Sequence, residues 1–113
     1  MKVIKAITLD ELDQMAKKMY GELVKGVVDI NKNTLVLDAE MHADEEAYLL
    51  EHGSAQQDLW GINLYPAKFG TDDFVEFDSM INIRPSQHNR SRGVEDKALQ
   101  QQIRNIITSK VKP

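Results

Sequence analysis

Apolar positions recur along this chain in two periods, and the switching between them predicts the order of elements. Leu9, Leu12, Met15, Ala16 and Met19 fall at helical spacing. Thr8 precedes them and Glu11 follows three residues on, the pattern of a capping box in which hydroxyl and carboxylate satisfy free first-turn amides. A helix is predicted over Leu9–Tyr20, closed by Gly21, which takes a left-handed conformation at little cost. The runs 23–30 and 34–38 are rich in Val, Leu and Ile and flank Asn31-Lys32-Asn33, a turn sequence tolerant of positive φ, so they predict a β-hairpin. Gly26 inside the first run predicts a bulge or the close approach of another element. Residues 40–53 read as a short second helix with acids near its first turn, where the helix dipole favours them, and Gly53 as its cap. Trp60, Ile62 and Leu64 alternate along a third strand. Residues 74–84 predict a longer fourth strand, with Val75, Phe77, Ser79, Ile81 and Ile83 on one face and Glu76, Asp78, Asn82 and Arg84 on the other. Asp96 caps a last helix whose apolar stripe is Leu99, Ile103, Ile106 and Ile107, with Lys110 and Lys112 near its end. Val3 and Ile4 add a short edge strand.

The order helix, hairpin, helix, hairpin, helix predicts a small α+β domain spanning residues 1–113. Its mainly antiparallel sheet has four to five strands, and its three helices are expected on one side. Leu12, Val28, Trp60, Ile62, Phe77, Ile81, Leu99 and Ile103 are the expected core.

Composition narrows the function classes. A chain of 113 residues suits one domain. With no cysteine, disulfides, thiolate metal sites and cysteine nucleophiles are excluded, and a reducing cytoplasm is the expected location. The first residues lack the apolar core and small-residue cleavage site of a secretory signal. No apolar run approaches the ~20 residues of a membrane helix, so no membrane partner is expected. The net charge of −4 argues against extended nucleic acid as a partner. That charge is unevenly spread. Residues 1–80 carry seven lysines and sixteen acids, whereas residues 81–113 carry seven basic residues, all four arginines among them, and two acids. An anion site in the last third, or pairing of that third with the acidic part, would each account for the asymmetry.

The candidate chemistry concentrates in residues 84–92. Arginine offers a planar fork of donors suited to phosphate and carboxylate. Arg84, Arg90 and Arg92, with Ser86, Gln87, Asn89 and Ser91, form a candidate ligand-binding loop, and a helix N-terminus follows it. The spacing matches no nucleotide-binding fingerprint. The structural alternative is a rigid loop whose arginines pair with acids elsewhere. His88 in this loop is a candidate proton-transfer group, since histidine titrates near neutral pH. On the second helix, steps of 100° put Glu46 in the middle of the inward face, with His42 one turn before it. Glu46 is then a candidate general base, half of a metal pair with His42, or the partner of Arg84, Arg90 or Arg92, with its pKa lowered by that partner. One His-Glu pair is too few ligands for a metal site, so no metal or cofactor is assigned. Trp60, Tyr65 and Phe74 fit core packing better than stacking on a ligand ring.

The runs His42-Ala43-Asp44-Glu45-Glu46, Trp60-Gly61-Ile62-Asn63-Leu64-Tyr65-Pro66, Phe77-Asp78-Ser79-Met80-Ile81-Asn82-Ile83-Arg84-Pro85-Ser86-Gln87 and Asn89-Arg90-Ser91-Arg92-Gly93-Val94-Glu95-Asp96 resemble a family of small bacterial proteins known only as a domain of unknown function. The likeness spans nearly the whole chain and implies no activity, cofactor or partner. The residues themselves support three functions. One is a binding module for a phosphate- or carboxylate-bearing small molecule, or a nucleotide, through loop 84–92. Another is a phosphate-transferring or hydrolytic enzyme using Glu46 or His88 as acid/base. The third is an interaction or oligomerisation module that pairs its basic third with an acidic partner or another copy of the chain.

Overall fold

The computed structural model describes residues 1–113. In chain order the elements are β1 (Lys2–Ile4), β2 (Ile7–Thr8), α1 (Leu9–Met19), β3 (Val24–Asp29), β4 (Thr34–Leu37), α2 (His42–Glu51), β5 (Leu59–Leu64), β6 (Val75–Glu76), α3 (Lys97–Thr108) and β7 (Val111–Lys112). The locally encoded features form as expected. The Thr8 hydroxyl accepts the Glu11 amide at 3.1 Å, and the Glu11 carboxylate accepts the Thr8 amide at 3.0 Å. Asp96 caps α3 by accepting the amides of Ala98 and Leu99. Asn33 takes positive φ in the β3–β4 turn, and Gly21 and Gly53 take it at the ends of α1 and α2. The tail does more than place cations near a helix end: β7 pairs in parallel with β2, Ile7 opposite Val111.

The main sheet is antiparallel, in the order β1-β4-β3-β5-β6. Val27 lies opposite Val36 and Gly61, and Val28 opposite Leu35 and Trp60. That register commits both faces to burial. Val24, Val28, Leu35, Leu37, Trp60, Ile62 and Leu64 form the main core with Leu12, Met15 and Ala16 of α1 and Ile103, Ile106 and Ile107 of α3. Val27, Val36 and Leu59 point the other way and pack against Leu49 of α2. The expectation of all helices on one side is therefore corrected. An apolar run with no polar alternation marks a strand covered on both faces, and α2 supplies the second cover. Of the expected core, Leu12, Val28, Trp60, Ile62 and Ile103 are buried, whereas Phe77, Ile81 and Leu99 are partly so.

The long fourth strand is also corrected. β6 pairs with β5 only through Asn63 opposite Glu76 and Leu64 opposite Val75. The chain then leaves the sheet. The Ser79 hydroxyl accepts the Ile81 amide and opens a 3-10 turn over Met80–Asn82. The Asn82 side chain takes the place of the missing strand: its Oδ1 accepts the Gly61 amide at 2.8 Å, and its Nδ2 donates to the Gly61 carbonyl at 2.9 Å and the Arg92 carbonyl at 2.9 Å. Asn89 repeats the device, donating to the carbonyls of Asn82 and Gly93 and accepting the Glu95 amide. Alternation fails here because the Asn82 side-chain amide, not backbone, pairs with the sheet edge. Asn82 is buried, while Met80 and Ile83 are exposed. Gly61 permits the approach, since a Cβ there would stand 2.6 Å from Cβ and Oγ of Ser79.

Asn82→Ala strands both polar groups of Gly61, and Asn82→Asp strands its carbonyl and brings a second acceptor against it. Buried groups left without partners cost ~1–3 kcal/mol each, so each variant is expected to lose about 2–4 kcal/mol in chemical denaturation. A midpoint unchanged in both would show that Asn82 does not close the edge.

Candidate functional site

The residues of loop 84–92 are mostly occupied within the protein. The Arg84 guanidinium lies over the Trp60 ring, 4.1 Å from its centroid. Its Nη1 donates to the Gln56 carbonyl and to Gln87 Oε1, and its Nη2 donates to the Leu59 carbonyl. Arg84 thus ties the start of β5 to the turn before it. Burial lowers its pKa, and the charges of Glu46 and Asp58 act in the opposite direction. Gln87 donates to the Gln57 carbonyl, and Asn89 is consumed in the edge closure. The Glu95 carboxylate accepts the amides of Arg90 and Ser91 at 2.7 and 2.9 Å, and these bonds hold its pKa below the usual range. The Ser91 hydroxyl accepts the Gly93 amide. Ser86, His88 and Arg90 are exposed, and His88 adopts a left-handed conformation with φ of 60°. Arg92 turns away from Arg84 and donates through Nε to Asp78 Oδ1 at 2.6 Å. The arginines therefore do not converge on one point.

Helix α2 sits one residue out of the expected phase. His42, Glu45 and Leu49 are its buried residues, whereas Ala43, Ala47 and Leu50 are exposed. The His42 ring fixes this rotation through a 2.9 Å hydrogen bond between Nε2 and the Ile62 carbonyl. Glu46 is half-buried and makes no ion pair with any arginine. The inward carboxyl is Glu45, with 0% of its surface exposed and neither oxygen hydrogen-bonded. Burial pushes its pKa up to about 10, against an opposing effect of the Ala39 amide. Glu45 is accordingly a neutral acid at neutral pH.

A cleft of about 390 Å³ opens between the start of α2 and the β5–β6 edge. Its polar floor is wired in advance. Asn63, 5% exposed, donates from Nδ2 to Glu76 Oε1 at 2.8 Å and to the Asp78 carbonyl at 3.3 Å. The Tyr65 hydroxyl donates to the same Glu76 oxygen at 3.1 Å, and desolvation together with Glu76 raises the Tyr65 pKa. His42 lines the cleft as well. Burial lowers its pKa foremost; the Ile62 carbonyl and the Asn63 side chain favour its charged form, and Lys25 opposes it. Arg92 and Lys25 bring two cations to the same space, and Met41 and Met80 leave its rim apolar. Of the expected ligand-binding and acid/base residues only Arg92 lines this cleft, beside His42 of the expected His-Glu pair; Glu46 and His88 do not. Asn63, Glu76 and Asp78 were missed, and Tyr65 was read as core packing. Their signal was parity: Asn63 and Tyr65 share one strand face, Glu76 and Asp78 share the paired one, and Asn63 lies opposite Glu76.

Glu45 and His42, two of the buried titratable groups, give stability a pH dependence. The raised Glu45 pKa means that its contribution is complete below its unfolded value, near 4.5, and is lost as pH rises toward about 10. The lowered His42 pKa means that the folded chain binds its proton less readily than the unfolded chain, so stability also falls as pH drops through the ordinary histidine range. Glu45→Gln is expected to flatten the alkaline limb between about pH 6 and 9, with a relative gain near pH 7 on the order of 3 kcal/mol. Denaturant midpoints across pH measure this, and an unchanged slope in the variant would contradict a buried neutral Glu45.

No helix of the protein is long and apolar enough to cross a membrane. No curated protein and no solved structure matches the chain. A family does match, over residues 1–110, and its description is a protein of unknown function. The wiring of Asn82, Asn89 and the cleft floor falls entirely within that span, and on this match the chain belongs to the DUF5674 family, proteins of unknown function.

Proposed function

We propose that this domain binds a small molecule carrying a phosphate or carboxylate group, and that the ligand lies in the cleft beside α2. Loop 84–92 contributes Arg92 to this site, and β3 contributes Lys25. The observation that carries the reading is the meeting of these two cations over a polar floor already held in place by hydrogen bonds. Arg92 engages Asp78 through Nε alone, which leaves both Nη groups to donate. Lys25 forms no ion pair; its ammonium lies 4.9 Å from the Tyr20 ring centroid. Preset donors lower the entropy lost when a ligand is ordered. The enzyme reading built on Glu46 or His88 gains no support from their placement outside the cleft. A reducing cytoplasm is the setting that suits a cysteine-free chain.

Thermal shift and calorimetry with inorganic phosphate, nucleotides and small carboxylates test the proposal, because a ligand of the folded state raises its stability. At least one class is expected to bind saturably. Arg92→Ala and Lys25→Ala are expected to weaken it by about tenfold or more, as the loss of a charge-assisted hydrogen bond does. Arg90→Ala is expected to leave it unchanged. No binding by any class, or binding lost with Arg90 and retained without Arg92, would overturn the assignment to the cleft.

A further inference from the structure

We infer that the ligand of this cleft is a small zwitterion of the amino-acid class, with an ammonium beside its carboxylate and an apolar side chain. The inference rests on the anion-binding reading above and narrows it. Its basis is the set of hydrogen-bonding groups that the protein leaves free. Glu76 Oε1 takes two donors, from Asn63 and Tyr65, but no protein donor reaches Oε2. Asn63 Oδ1 has no exposed surface, and the Asn63 side chain acts on the His42 ring beneath the cleft. The floor therefore presents Glu76 Oε2 as an acceptor that no protein donor occupies, and the cations Arg92 and Lys25 line the same cleft, Lys25 directly across the β3–β5 ladder from Asn63.

A plain anion satisfies only half of this arrangement. It meets the cations but brings further acceptors toward Glu76. A simple amine meets Glu76 but is repelled by Arg92 and Lys25. A molecule carrying both charges close together satisfies both sets. An ammonium supplies three donors, and a carboxylate presents two oxygens to the guanidinium fork. The remaining wall is apolar and adaptable: Met41 is 56% exposed and Met80 66% exposed, and Leu23 and Ile81 line the cleft with them. Thioether side chains fit themselves to apolar groups of varied shape, and these positions receive the ligand's side chain. A cavity of about 390 Å³ lies toward the small end of ligand sites, which run ~300–1,000 Å³.

Calorimetry on the full chain with L-methionine, N-acetyl-L-methionine, L-methioninamide, glycine and inorganic phosphate tests the inference. L-methionine is expected to bind. Acetylation removes the ammonium, amidation removes the carboxylate, and each is expected to weaken binding at least tenfold; glycine, lacking the apolar group, is expected to bind less tightly. Glu76→Gln is expected to reduce methionine affinity by about tenfold, with its thermal melt confirming the fold. The ligand series keeps the test independent of that variant. If phosphate or N-acetyl-L-methionine binds through Arg92 at least as well as L-methionine, the zwitterion assignment falls and the anion reading stands. If none of the probes binds, nor any anion of the earlier panel, both fall.

Discussion

The amide clasp between Asn82 and Gly61 is the contact on which the second half of the molecule depends. β5 is a central strand, yet β6 covers only its last two residues. The rest of that edge would present unpaired amides and carbonyls, a template for association with other chains. Asn82 closes it with one acceptor and one donor in the geometry of a strand partner, and its second Nδ2 hydrogen holds the Arg92 carbonyl. The clasp thereby ties residue 82 to both β5 and residue 92. Ser79 strengthens the tie by donating its amide to the same Arg92 carbonyl at 2.9 Å. These bonds place Asp78 and Arg92 side by side at the cleft. A long strand in the same place would have sent Asp78 along the sheet edge, away from the start of α2.

The docking of α2 opposes stability for the sake of position. A helix turned to bury Leu50, Ala43 and Ala47 would have covered the sheet with apolar surface. Instead the helix buries His42 and Glu45; burial lowers the His42 pKa and raises that of Glu45, so the charged form of each is costly there. Burial of a carboxyl without partners is among the few changes that cost several kcal/mol. Its return is the His42 contact to the Ile62 carbonyl, which brings the imidazole to the cleft floor next to Asn63.

Where an element was set by its own neighbours in sequence, the chain was readable. The Thr8–Glu11 capping box, the Asn33 turn, the Asp96 cap and the stripe of α3 each depend on residues within a few positions, and all formed as expected. The α+β class followed from them. Two features were not readable, and for one reason. The rotation of α2 and the break after Glu76 are both decided by side chains bonding to distant backbone: His42 to Ile62, twenty residues on, and Asn82 to Gly61, twenty-one residues back. Periodicity counts apolar positions and is blind to such bonds. It therefore put Glu46 where Glu45 lies, and assigned Asn82 to the strand face opposite the apolar one. The same blindness hid Asn63 and Glu76, whose importance appears only once their strands are paired.

The split of charge along the chain finds its meaning in how the arginines are used. Internal pairing between the basic third and the acidic part would have produced ion pairs across the fold. Only Arg92 with Asp78 does so; the other ion pair joins Lys17 to Asp13 within α1. Arg84 spends its donors on carbonyls and its face on Trp60, and Arg104 donates to the Asp72 carbonyl and lies over Phe77. Arginine is suited to this, because its charge is diffuse, its plane stacks on rings and its fork reaches two acceptors. The acids are thus not neutralised one by one by the arginines. Glu76 enters the cleft with one oxygen free, and Lys25 enters it without a counterion. Charges of both signs thus line one cleft, and the ligand proposed for it is a molecule that carries both.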